Sequence, residues 1–161
     1  MIEAMARFPN LARMHAHGFV VDVAAVRGLG PAPWWNGYSN DVLQPVRGCI
    51  GGEGEPPGGL LLAVRAARYG EAHVPEGAFY ENNTLASIEV PAGLTSIGGS
   101  AFLDCSSLAS VELPAGLTSI GDCAFYGCSL LASVELPAGL TNIGDLAFPA
   151  NCTRERKRDE E

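Results

Sequence analysis

A block of 23 residues recurs three times without a gap in the second half of this chain, and it opens a fourth time. The units begin at Ala78-Phe79, Ala101-Phe102 and Ala124-Phe125, and the partial one at Ala147-Phe148. The second and third match at 18 of 23 positions, differing only at Leu103/Tyr126, Asp104/Gly127, Ser107/Leu130, Ser119/Asn142 and Cys123/Leu146. A fixed period in the twenties marks a solenoid, because each unit is too small to bury its own apolar face and must stack on its neighbours. The repeat narrows the fold to a stack, and the function to what a repeated surface can do.

Within a unit the apolar positions assign themselves. In Leu108-Ala-Ser-Val-Glu-Leu-Pro114, Val111 and Leu113 alternate with Ser110 and Glu112, the pattern of a short half-buried strand. Pro114 ends it, and Ala115-Gly116 makes the corner. Leu117 and Ile120 point inward from a second extended run, and Gly121-Asp122 turns the chain. Ala124-Phe125 then opens a brief helical or 3-10 segment whose ring plugs the core. Stacking turns these positions into ladders: Phe79, Phe102, Phe125, Phe148; Ile88, Val111, Val134; Leu94, Leu117, Leu140.

These residues resemble leucine-rich repeats, in particular the BspA-like type with the pattern L-x-x-I/V-x-L/I/V-P-x-x-L/V-x-x-I-G-x-x-A-F-x-x-C, over roughly residues 74–152. The resemblance implies a curved solenoid of short parallel strands with brief helical or 3-10 segments and a role in binding other macromolecules; it does not imply catalysis. It also implies an inward Asn or Cys after the helical segment, here Asn82, Cys105, Cys128 and Asn151.

Around the repeats the expected domains are a partly disordered extension or linker over 1–59 and a degenerate N-terminal capping repeat over 60–77. The leucine-rich units follow over 78–100, 101–123, 124–146 and, in part, 147–152, with a charged tail over 153–161. Glycine and proline density across 31–59 reads as largely unstructured chain. A short helix over Ile2–Met14 and a strand near Phe19–Val26 are the elements suggested before it. Leu60-Leu-Leu-Ala-Val64 reads as a strand. Trp34-Trp35 is a pair able to dock onto a partner or onto the solenoid's open end. That open end has no further unit to cover it, so the charged tail, a longer array or another copy are its possible covers.

The net charge of −8 is unevenly placed. From Glu71 to Cys152 there are nine acids and no Lys or Arg, whereas residues 1–70 carry six Arg against five acids. An acidic stack repels phosphate backbones, which argues against nucleic acid and for a protein partner with a basic surface. No run approaches the roughly 18 apolar residues of a membrane span. Five cysteines without any Cys-x-x-C favour a reducing compartment, with cell-surface display or secretion as the alternative.

No catalytic, cofactor-binding or metal-ligating set emerges. The histidines are His15, His17 and His73, all before the full units, and His15-x-His17 lacks a nearby carboxylate or thiolate. Lys157 is the sole lysine, so there is no phosphate-binding Gly-Lys-Ser/Thr loop. Asn82-Asn-Thr84 and Asn151-Cys-Thr153 fit the glycosylation triplet, but an inward Asn cannot carry a glycan in the folded state.

What remains is a surface. Ser87 and Glu89, Ser110 and Glu112, and Ser133 and Glu135 face outward as one pair per unit. Neighbouring strands about 4.8 Å apart make the glutamates a column of like charge, repelling by roughly 0.8 kcal/mol per neighbouring pair before salt screening. A cationic ligand would relieve that repulsion. Duplication of a solvated glutamate explains the same column without any ligand. The expected function is therefore a non-enzymatic interaction module using this acidic face, with end-to-end self-association as a further contact. The alternative is an accessory or structural segment of a surface adhesin, or of a larger enzyme or membrane protein.

Overall fold

A computed structural model describes residues 11–32 and 40–158. Trp34 and Trp35 lie outside the described residues, as does most of the expected helix over Ile2–Met14.

The repeats form a solenoid of short parallel strands. One row contains β5 (Ser87–Glu89), β7 (Ser110–Glu112), β9 (Ser133–Leu136) and β11 (Thr153–Arg156); β5 pairs in parallel with β7, and β9 with β11, as two separate two-stranded sheets. A second ladder contains β4 (His73–Val74), β6 (Ser96–Ile97), β8 (Ser119–Ile120) and β10 (Asn142–Ile143), paired in parallel and in chain order. The strand register advances by one repeat per rung, with Ser87 opposite Ser110 and Ile97 opposite Ile120. Ala124-Phe125 opens a hydrogen-bonded turn rather than an assigned helix. Its bonds run from residue to residue three back, as from the Cys128 amide to the Phe125 carbonyl at 3.2 Å.

The ladders expected inside are inside. The rings of Phe79, Phe102, Phe125 and Phe148 stack at 5.2, 4.9 and 5.2 Å between centroids, within 9° of parallel. Ile88, Val134, Leu94, Leu117 and Leu140 are buried beside them. The Cys105 thiol donates to the Phe79 carbonyl at 2.9 Å and the Cys128 thiol to the Phe102 carbonyl at 3.1 Å, so each sulfur ties its rung to the one before. Hydrogen bonding with Cys105 and then burial push the Cys128 thiol well above its usual range. Threonines repeat the device on another side: Thr118 Oγ1 donates to Thr95 O at 3.0 Å, and Thr141 Oγ1 to Thr118 O at 3.2 Å.

Before the repeats the structure departs from the linker expectation. Strands β1 (Arg13–Ala16) and β2 (Phe19–Asp22) form a hairpin through His17-Gly18. Both turn residues have positive φ (52° and 81°), as a two-residue hairpin turn matching the strand twist requires. Asp22 accepts from the Ala25 amide at 2.9 Å and caps helix α1 (Val23–Gly28), so the expected strand to Val26 ends at Asp22. A 3-10 turn (Asn40–Leu43), helix α2 (Gln44–Arg47) and β3 (Ile50–Gly51) follow, and β3 pairs antiparallel with β2. Glycine and proline here mark tight turns between short elements, so density of these residues alone overstated the irregular chain in 40–59.

Residues 60–64 are not a strand. They belong to helix α3 (Gly58–Tyr69), which ends on Gly70 at φ 66°. Leu60 to Ala66 are all buried, and a run buried on every side shows neither period. Helix-forming Leu, Ala and Arg, and the glycine stop, decide for helix. The helix closes on the first rung: a Cβ on Gly59 would come within 2.5 Å of the Glu89 carbonyl, so only glycine permits this approach. Arg65, itself 4% exposed, grips Glu71 through two bonds of 2.8 and 2.9 Å and donates to Val42 O at 2.8 Å.

The last described segment is also ordered. Thr153–Arg156 is strand β11, exposed along its length. Twenty residues separate Ser133 from its partner Thr153, three fewer than between earlier strands. This shortening moves Cys152 into the buried place and leaves Asn151 exposed, correcting the inward position expected for it. Asn151 Nδ2 donates to Ser129 O at 3.3 Å instead.

Candidate functional site

The six outward residues fall on one face. Ser87, Ser110 and Ser133 are exposed, as are Glu89, Glu112 and Glu135. Strand alternation produces this, since Ile88, Val111 and Val134 point the other way into the core. Glu89 stands directly opposite Glu112 in the ladder. Among the described residues neither glutamate has an ion-pair partner.

Glu135 does have one. Lys157 Nζ lies 3.3 Å from Glu135 Oε2, placed there because β11 adds to β9 and carries the chain past Arg156. Both side chains are more than half exposed, so it is a contact that water and salt weaken. The same register sets Glu155 opposite Glu135 and Thr153 opposite Ser133, a fourth hydroxyl and a fourth carboxylate in the columns. Sequence reasoning missed them because the unit is three residues short. The alternation Thr-Arg-Glu-Arg, echoing Ser-Val-Glu-Leu, was the signal available. Arg154 and Arg156 stand in register with Val134 and Leu136, and both are exposed. Arg156 Nη1 donates to Leu140 O at 3.0 Å.

The structure adds something no repeat could announce. Ser87 and Glu89 also line a half-open cleft of about 620 Å³, between β5, the start of α3 and the His17 turn. Elsewhere the chemistry is spare. Among the described residues no group of three or more His, Cys, Asp or Glu is placed to hold a metal ion. Among them too, no helix is long and apolar enough to cross a membrane.

Parallel rungs of two short strands, a stacked phenylalanine column and buried cysteines bonded to the previous turn define a leucine-rich-repeat solenoid. The family described as "BspA type Leucine rich repeat region (6 copies)" matches residues 72–156, just over half the chain. The chain belongs to this family, whose repeats commonly serve as protein-interaction modules. Comparison with curated proteins found no match.

Among solved structures it is similar to a leucine rich cell surface protein from Faecalibacterium prausnitzii A2-165. That match has 33% identity and a TM-score of 0.45 over 50% of this chain and 22% of the other. It is also similar to the T. pallidum Leucine Rich Repeat protein, at 30% identity and a TM-score of 0.46 over 53% of this chain and 45% of that one. A leucine-rich repeat protein from Bacteroides capillosus aligns over 92% of this chain and 100% of its own, at 18% identity and a TM-score of 0.49. The chain thus spans about a fifth of the first relative and under half of the second.

Proposed function

We propose that this protein is a non-enzymatic binding module whose acidic sheet face receives a basic segment of a partner protein. The observation that carries this reading is Lys157 on Glu135: a lysine just past β11 lies 3.3 Å from a carboxylate of the glutamate column. Glu112 and Glu89 offer the same carboxylates one and two rungs away, without a cation among the described residues. Helix α3 acts in this reading as the cap of the stack, presenting the face without sharing its charge.

End-to-end stacking of copies is not part of the reading. Gly98, Gly121 and Gly144 each donate to the preceding rung, at 2.9, 2.8 and 2.8 Å. A Cβ at Gly98 would lie 2.8 Å from the Val74 carbonyl. The residue 23 positions earlier is Pro75, which has no N–H and carries a ring. At Pro75 an incoming copy would therefore find no N–H to pair with.

The test replaces Glu89, Glu112 and Glu135 together by Gln in the full chain and measures binding of an extended peptide with lysine at alternate positions. Affinity should fall at least about fivefold, and its salt dependence should flatten. Unchanged affinity and salt slope would reduce the column to a solvated face. That result would favour the alternative, an accessory or structural segment of a surface adhesin or of a larger enzyme or membrane protein.

A further inference from the structure

The acidic column runs, at its first rung, into the cleft between the sheet and helix α3. The wall is apolar, formed by Leu60, Ala63, Ile88 and Pro91, while Ser87 and Glu89 stand at its rim. At about 620 Å³ and half open, it lies in the size range of sites that take up a large organic group from solution. Its floor is rigid. Leu60 and Ile88 are each 3% exposed, and Gly59 holds the helix against the Glu89 carbonyl. A cleft of this kind accepts an apolar side chain, and the charge beside it selects what may follow that side chain.

Resting on the acidic-face reading, we propose that the cleft anchors a large apolar side chain of the partner segment and that the next residues of that segment are basic, seated on Glu89 and Glu112. The charge around the cleft supports this one occupant. Glu89 is at the rim, Glu112 is its neighbour in register, and neither has a cation among the described residues. Glu135 already holds Lys157, so a partner needs only one or two cations beyond the anchor. His17 also lines the cleft. An acidic or purely polar segment would leave the apolar wall wet and add to the repulsion.

The experiment uses the full chain at pH 7.5 with labelled hexapeptides, read by fluorescence anisotropy. The parent probe has one leucine followed by arginines, a second has serine for the leucine, and a third has glutamine for the arginines. The parent should bind about tenfold tighter than the serine probe, the effect of burying one leucine side chain. The glutamine probe should bind more weakly than the parent and without salt dependence. Ala92→Trp fills the cleft from an exposed position, which spares the fold. In that variant the leucine and serine probes should bind alike, while both remain sensitive to Glu89→Gln/Glu112→Gln. Equal binding of those two probes to the unmodified protein, with sensitivity to the glutamates intact, would overturn the cleft and leave the acidic-face reading standing. No binding of any arginine probe would overturn both.

Discussion

Phe125 has a ring on each side of it, at 4.9 and 5.2 Å, and is fully buried. Phe148 has one ring neighbour among the described residues and is 7% exposed. The two positions are identical in the repeat, so their energies differ only through the stack. Phe125→Ala should cost about 3–5 kcal/mol and Phe148→Ala distinctly less, because the second cavity opens to solvent. Urea unfolding of both variants checks the ordering, and equal losses would mean that the rings do not act as a column. Residues of this kind were legible in advance, because an inward position repeated every 23 residues can only be a ladder. Asn151 was not, since a three-residue deletion shifts register without changing the local motif.

At the level of elements, helix α3 is the piece that pattern reading missed and the one that completes the site. Its clamp is a buried ion pair, with side chains 5% and 14% exposed at Arg65 and Glu71. Such a pair is costly to break and cheap to replace, since one partner alone leaves an uncompensated charge. Arg65→Ala should therefore lose about 3–5 kcal/mol, also stranding the Val42 carbonyl. The double variant Arg65→Met/Glu71→Gln should recover most of it. A double-mutant cycle in urea measures the coupling, and a single-variant loss below about 1 kcal/mol would mark the pair as solvent-screened.

The molecule as a whole has one apolar core that crosses the expected boundary at residue 59. Val21, Val23, Val26, Val42, Leu43 and Val46 join Leu60–Leu62 and the repeat ladders in a single buried cluster. A fragment of residues 60–161 should for that reason bind hydrophobic dye, aggregate or unfold at much lower urea than the full chain. Limited proteolysis should release no stable product beginning near Leu60. Retention of full stability by that fragment would show the first 59 residues to be passive.

The sequence by itself determined the rung: its length, its inward columns, its acidic outer face and its family. A repeat states the same local physics several times, so errors at one unit are corrected by the next. Tertiary structure alone decided how the first rung meets helix α3 and, among the described residues, which glutamates have no cation beside them. Those features arise once, from contacts between residues as distant as Arg65 and Val42 or Lys157 and Glu135. The cleft beside Glu89 is of the same kind. It exists because a helix, a hairpin turn and a strand meet there, and none of the three carries in its own sequence the shape of the other two.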